Sequence, residues 1–220
     1  MKRFFIVFAL IAVVLAVYPF LNPSDHPQKL SGLPWQIEIL PDGHSRVFGI
    51  TIGQSRLSDA LQSLGGDMQL AIVAATDEGG SLEMYYGHYK AGLLSGKLVL
   101  QTQAGADAIR RWRENSPKSE YMATGMAKKY LINDTDATAV LNEVITGITF
   151  IPAVNLDEDI ILARFGTPAE RIEREGVTHF LYPDKGLHIA LSDRDKEVLQ
   201  YVAPGDFAQW VKPLRNKAEL

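Results

Sequence analysis

The chain has 220 residues, of which 46% are hydrophobic and 22% are charged, a composition typical of a globular protein. This length is enough for one large domain or two small ones. The net charge is −4, and −6 once Lys2 and Arg3 are set apart, which argues against nucleic acid and anionic lipid headgroups as bulk partners. Because there is no cysteine, disulfides, thiol catalysis and a lipid-modified N-terminal cysteine are excluded.

The N-terminal segment predicts an association with a membrane. Lys2 and Arg3 precede an apolar run from Phe4 to Leu21, whose 18 residues are near the minimum for a membrane-spanning helix. Two interpretations are open, a retained single-pass anchor over residues 1–21 and a signal peptide cleaved after Ala16. Since basic residues stay on the cytoplasmic side, both interpretations export the remaining chain. We expect an anchor in a bacterial inner membrane, with the C-terminal domain in the periplasm.

Beyond this segment the pattern predicts an α+β protein made of two tandem units. Residues 22–34 combine proline, serine and glycine without apolar periodicity, which is typical of a tether. Residues 35–115 are expected to form the first unit and residues 116–220 the second. In each unit a short helical part would pack on an antiparallel meander, because a sheet with one apolar face needs a covering layer.

The first unit is predicted to contain a helix that ends at a glycine. Ser55 is the expected N-cap, Leu61 and Leu64 lie on one helical face, and Gly65 terminates the helix. Three strand patterns follow, separated by glycine-containing turns, and predict a meander. These strand patterns cover residues 68–76, 81–92 and 96–103.

The second unit is predicted to repeat this plan. Asp157 is the expected N-cap of its helix, acidic residues occupy the first turn, and Gly166 ends the helix. Four strand patterns and a closing helical stretch follow. The side chains expected to face inward from the two helical parts are Ile161, Leu162, Phe165, Phe207 and Trp210.

The helix endings of the two units can be aligned. Superposing Gly65 on Gly166 places Leu64 on Phe165, and roughly three strands of similar length follow each glycine. The tyrosines at positions 85 and 86 then match Tyr182 within a few residues. We interpret this as a structural repeat in which the glycines end helices and do not bind phosphate groups.

The second unit resembles the signature of the BamE (SmpA/OmlA) family of small outer-membrane assembly lipoproteins. The matching positions are Asp157, Ile161, Phe165, Gly166 and Pro168, and Asn155 replaces the leading glycine of the family. The first unit keeps Gly53, Ser55, Leu64 and Gly65 of this pattern, with Asp67 in place of the proline. The tandem arrangement is similar to the β-lactamase-inhibitor protein, whose fold is two helix-plus-sheet repeats. The resemblance implies this fold and, by analogy, a role in envelope assembly.

Motifs for catalysis and cofactor binding are absent from the sequence. None of the five histidines has H-x-x-x-H or H-E-x-x-H spacing, and there is no G-x-S-x-G, S-x-x-K, P-loop or G-x-G-x-x-G pattern. His88, His179 and His188 all fall on predicted strands, where only the fold decides whether they meet. We expect no catalytic residues, no metal and no cofactor.

The segment "EMYYGHY" is the strongest candidate for a binding surface. Tyrosines on a strand place rings on both faces, and tyrosine suits binding because it combines a large apolar area with a polar tip. The alternative is that these rings pack beneath the helices. The candidate surface consists of Tyr85, Tyr86, His88, Tyr89, Tyr182 and His188.

Two functions follow as hypotheses. The first is a membrane-tethered periplasmic protein without catalytic activity, which binds another envelope protein or assists envelope assembly. The alternative is a periplasmic small-ligand-binding or hydrolytic protein with a pocket between the two units, around Tyr86, His88 and His188. An enzyme would bring three or more histidines and carboxylates together in one cleft, whereas a binding module would expose an apolar or aromatic patch.

Overall fold

A computed structural model of the protein describes residues 32–75, 79–122 and 125–216. The predicted anchor over residues 1–21 and most of the predicted tether lie outside these ranges. The residues of these three ranges form one compact unit. Within the described ranges, no helix has both the length and the apolar character needed to cross a bilayer.

The predicted α+β class is confirmed, with a large antiparallel sheet and a few short helices. The strands are β1 (Glu38–Ile39), β2 (Ser45–Val47), β3 (Ile50–Thr51), β4 (Gln69–Ala75), β5 (Ser81–Ala91), β6 (Leu94–Thr102), β7 (Ser119–Tyr121), β8 (Ala127–Leu131), β9 (Ile145–Pro152), β10 (Glu170–Arg174), β11 (Val177–Tyr182), β12 (Leu187–Ser192) and β13 (Val198–Val202). The α-helices are α1 (Leu57–Leu64), α2 (Ala106–Glu114), α3 (Ala137–Leu141), α4 (Glu158–Phe165), α5 (Phe207–Trp210) and α6 (Lys212–Asn216).

Ten strands form one continuous sheet in the order β10-β11-β12-β13-β9-β6-β5-β4-β8-β7, and β1 to β3 form a small second sheet. Strands β4, β5 and β6 come from the predicted first unit and β9 to β13 from the predicted second unit. Strands β7 and β8 also fall in the predicted second unit, but they pair on the far side of β4. At the centre of the sheet β6 pairs with β9. In this pairing Leu98 lies opposite Phe150 and Leu100 lies opposite Ile148. The sheet therefore runs without interruption through both predicted units.

A single main core lies on one face of this sheet. On β5 the alternation places Leu82, Met84 and Tyr86 in the core, and the intervening side chains on the other face. The same core cluster contains Phe150 of β9 and Ile189 of β12. Each large apolar side chain buried in this way contributes about 1.5–3 kcal/mol, so the two halves are held together by shared apolar burial.

The helix boundaries follow local capping chemistry, with one correction to the sequence prediction. The Asp157 carboxylate caps α4 as expected, since its Oδ1 accepts a hydrogen bond of 2.8 Å from the Ile160 N–H. Ser55 does not cap α1, because its Oγ instead accepts from the Thr51 N–H at 3.1 Å. The N-cap position of α1 is Arg56, whose N–H donates to the Asp59 carboxylate at 2.8 Å.

Two side chains predicted to face inward are exposed. Ile161 and Phe165 of α4 are buried, but Leu162 is 36% exposed because it lies on the outer side of this short helix. Phe207 of α5 is also buried, whereas Trp210 is 36% exposed. Both errors arise because apolar character alone does not define which side of a one- or two-turn helix faces the core.

The second face of the sheet is covered only at one end. A small cluster in which Leu181 and Val202 pack with Phe207 and Val211 places α5 and α6 against β11 and β13. Along β4, β5, β6 and β9, the same face carries exposed and half-buried side chains such as Gln69, Tyr85, Val99 and Thr149. We call this surface, formed by the outward side chains of these four strands, the open face.

Candidate binding face of the sheet

The open face and the covered end beside it are organised by the register of six neighbouring strands. Side chains directly opposite each other in an antiparallel pair project from the same face. The pairing brings one residue from each strand into a row, and these are Gln69, Tyr85, Val99, Thr149, Gln200 and His188 in the order β4, β5, β6, β9, β13 and β12. Two of the six candidate residues, Tyr85 and His188, therefore lie in the same row.

The centre of this row combines polar and apolar side chains. Tyr85 is 36% exposed, and Val99 and Thr149 are half-buried. Two residues before Tyr85 on β5, the half-buried Glu83 carboxylate accepts a 3.0 Å hydrogen bond from Ser81 Oγ. Burial raises the pKa of Glu83. A mixture of this kind, with an aromatic ring at its centre, is typical of surfaces that bind other proteins.

A pair of histidines closes the other end of the row. His179 Nδ1 lies 2.8 Å from His188 Nε2, and His188 Nδ1 lies 3.1 Å from Gln200 Oε1. A carbonyl oxygen can only accept, so His188 carries its proton on Nδ1 and its Nε2 accepts from the His179 Nδ1–H. The two rings are stacked with centroids 5.1 Å apart, and the Trp210 ring lies 5.4 Å from His188.

Both histidines are held in the neutral form. Burial, together with the neighbouring His179, lowers the pKa of His188 to about 4. Burial, together with Arg174, lowers the pKa of His179 as well. A cleft of about 430 Å³ lies beside the pair and is lined by Trp210 and Pro213, among others. The pair thus connects β11, β12 and β13 to the C-terminal helices through contacts between uncharged rings.

The other three candidate tyrosines do not share this face. Tyr86 and Tyr182 are almost fully buried on the helical side of the sheet, where Tyr89 is half-buried against Phe48. His88 is exposed at a bulge in β5. Because Tyr86 lies on the opposite side of the sheet, no common pocket contains Tyr86, His88 and His188.

The buried tyrosines instead form hydrogen bonds to the ends of two helices. These are the two helix ends that the sequence alignment placed at equivalent positions. Gly65 and Gly166 follow α1 and α4 with φ values of 92° and 84°. Tyr86 donates from its hydroxyl to the Gly65 carbonyl at 3.1 Å, and Tyr182 donates to the Gly166 carbonyl at 2.9 Å. Each tyrosine lies on the second strand after its helix, and burial raises the pKa of both to about 12.

We expect Tyr86→Phe and Tyr182→Phe each to lower the free energy of unfolding by about 1 kcal/mol, because each removes a hydrogen bond to a helix-ending carbonyl. Urea denaturation of the full chain measures this change. Tyr85→Phe is the matched control, since its hydroxyl is on the open face, and we expect a change within about 0.5 kcal/mol. An equal loss in the control would contradict the role assigned to the two buried hydroxyls.

Comparison with known proteins gives no relative for this architecture. The chain matches no family model, no curated protein and no solved structure. The resemblance to the BamE family therefore stays a prediction from sequence. Among the described residues, no group of three or more histidine, aspartate or glutamate side chains is arranged to hold a metal ion.

The sequence pattern contained part of this site but not its arrangement. The period-two alternation in β5 separates Tyr85 from Met84 and Tyr86, so the side of the sheet on which Tyr85 lies was predictable. The contributions of Val99, Thr149 and Gln200 were missed. Nothing in their local sequence indicates them, because their proximity depends on the order of β6, β9 and β13 in the sheet.

Proposed function

We propose that the protein is a membrane-tethered, non-catalytic interaction module of the bacterial cell envelope that binds another envelope protein through its open face. The main support is that no helix covers this face over the central strands, within the described residues, although α5 and α6 cover the same face at one end. A sheet face with Tyr85 and Val99 exposed or half-buried offers a partner both apolar area and polar edges.

In this proposal the chain consists of two tandem helix-plus-sheet units behind an N-terminal transmembrane helix. The two tyrosine–glycine hydrogen bonds at equivalent helix endings support the tandem arrangement. The basic Lys2 and Arg3 before the apolar run support an anchor in the inner membrane with the folded part in the periplasm.

An interaction role is also favoured over hydrolysis by the chemistry of the histidine pair. His179 and His188 are bonded to each other and to Gln200, and no carboxylate among the described residues is bonded to either ring. A general base needs a pKa near the working pH, whereas the pKa of His188 is lowered to about 4. These histidines are better suited to packing than to proton transfer.

Site-specific photo-crosslinking in intact cells tests the open face. We expect a benzophenone amino acid at Val99 or Tyr85 to give a discrete cross-linked species that contains a second envelope protein. Positions Gln62 on α1 and Arg111 on α2 are matched controls, because both are exposed on the helical side. The proposal is wrong if Val99 and Tyr85 give no cross-link, or if the controls give the same species.

A further inference from the structure

A small cavity opens on the same face, next to Tyr85. It has a volume of about 290 Å³ and lies where a bulge interrupts the pairing of β5 with β6 between Tyr86 and Tyr89. The residues that line it include Gly87, His88, Lys97, Ile151, Pro152 and Lys196. A Cβ atom at Gly87 would lie 3.5 Å from the Tyr85 ring, so this ring lies beside a glycine of the cavity wall.

The walls of this cavity are largely apolar. Ile151 projects from β9 on the open face opposite Lys97, and Pro152 and Ala153 continue the wall at the end of that strand. The volume is at the small end of ligand sites, which corresponds to a ligand of about ten non-hydrogen atoms or to a single side chain. The shape and lining therefore suit a small apolar group.

The charged side chains that line the cavity are Lys97 and Lys196, and no carboxylate lines it. No carboxylate among the described residues lies within 4 Å of the ammonium group of Lys97 or Lys196. The Lys196 Nζ donates to the Ala153 carbonyl at 3.1 Å and to Asn155 Oδ1 at 2.5 Å. Both acceptors are neutral, so they hold the ammonium group in place without cancelling its charge.

Neighbouring acids are directed elsewhere. Glu83 shares the open face but lies opposite Gln101, four residues along β6 from Lys97, which is about 13 Å. Glu197 follows Lys196 in the chain, but its side chain is buried and 5% exposed. Asp195 is exposed in the turn before Lys196. None of these carboxylates lines the cavity, which leaves a net positive site with apolar walls.

We propose that this cavity binds a carboxylate carried on a small apolar group. Lys97 and Lys196 contact the carboxylate, and Ile151 and Pro152 contact the apolar part. Lysines that have no carboxylate partner attract an anion to an apolar cavity. Charge-assisted hydrogen bonds to a carboxylate are also stronger than hydrogen bonds between neutral groups. The inference rests on the proposed function, since it specifies what a partner presents to the open face. A free C-terminal carboxylate on an apolar residue and a small organic acid share this chemistry.

Glycine-selective ¹⁵N NMR of the full chain in non-ionic detergent tests the proposal, because the Gly87 and Gly96 amides report from the cavity wall. The probes are benzoate, the peptide Gly-Gly-Phe, its C-terminal amide, and inorganic phosphate. We expect benzoate or the free-acid peptide to shift both amides in a saturable way. The amidated peptide should cause no shift, and phosphate should bind at least about fivefold more weakly than the better of the first two.

Variants then connect binding to the two lysines. Lys97→Gln and Lys196→Gln are each expected to weaken binding about fivefold, and Lys118→Gln, an exposed lysine just before β7 at the other edge of the sheet, should leave it unchanged. Binding of benzoate alone identifies a small acid as the ligand, and binding of the peptide identifies a protein C-terminus. The proposal is overturned if the amide binds as well as the acid, if phosphate binds best, or if the lysine variants bind normally. Cross-linking at Val99 does not depend on any of these results, so failure of this inference and failure of the proposed function are separate outcomes.

Discussion

Replacement of Gly186 by alanine is expected to lower the free energy of unfolding by about 3 kcal/mol or more, because the added methyl group would overlap with backbone atoms. Gly186 follows the turn Pro183–Lys185 with a φ of 63° and a ψ of 29°, in the left-handed region. A Cβ atom there would collide with the Val202 carbonyl oxygen and would lie 3.1 Å from the Pro204 nitrogen. Both neighbours are backbone atoms, so neither can rotate away.

The close approach at Gly186 positions the covered end of the sheet. The Val202 N–H donates to the Gly186 carbonyl at 2.9 Å, which joins the turn after β11 to the end of β13. The chain then continues through Pro204–Asp206 into α5. A methyl group at Gly186 would push these segments apart and disturb the packing of Phe207 against Leu181.

Gly176→Ala is the matched control for this substitution. Gly176 has a φ of 79°, but no atom lies within 4 Å of the position of its added Cβ. Its replacement therefore carries only the backbone cost, about 1 kcal/mol. Urea denaturation of both variants separates the two contributions. If Gly176→Ala and Gly186→Ala lower the free energy of unfolding equally, the close approach of Val202 to Gly186 does not contribute to the cost of the substitution.

Local features of the fold could be predicted from sequence because they depend on nearby residues. The β-branched residues between Ile145 and Pro152 favour the buried strand β9, and the Asp157 cap follows from a side chain and an N–H three residues apart. The glycine endings of α1 and α4 are equally local, since a positive φ is favourable only for glycine.

Features that depend on strand order could not be predicted in the same way. The pairing of β9 with β6 on one side and β13 on the other joins segments about fifty residues apart, and nothing in either segment specifies its neighbour. The row from Tyr85 to His188 exists only through this order. Likewise, the hydrogen bond between His179 and His188 requires the hairpin register of β11 and β12.

The second large effect concerns acidification, which we expect to destabilise the fold through His188. In the unfolded chain a histidine has a pKa of about 6.5, whereas in the folded protein the pKa of His188 is about 4. Between these values the unfolded state binds a proton that the folded state does not. The contribution is therefore fully present above pH 6.5 and is lost as the pH falls towards 4. From pH 7.5 to 5.0 the expected loss is about 2 kcal/mol.

The groups around His188 explain why the folded state resists protonation. A proton on His188 would face His179, whose own pKa is lowered by burial and by Arg174, and the aromatic ring of Trp210 on α5. Of its neighbours, only Gln200 favours the charged form, through its Oε1. Both ring nitrogens of a protonated His188 would be donors, so keeping the His179–His188 hydrogen bond would require His179 to move its proton from Nδ1 to Nε2.

Urea denaturation at several pH values, with wild type, His188→Gln and His88→Gln, isolates this contribution. We expect the His188 variant to be less stable than wild type at pH 7.5, because it loses the ring packing, but to lose about 2 kcal/mol less on going to pH 5.0. His88 is exposed on β5, so its variant should keep the wild-type pH dependence. If the His188 variant keeps the full pH dependence, the buried pair does not carry the acid sensitivity, and other titrating groups must be responsible. If only His188→Gln reduces the dependence of the free energy of unfolding on pH, the stability of the fold depends on His188 staying neutral between β13 and α5.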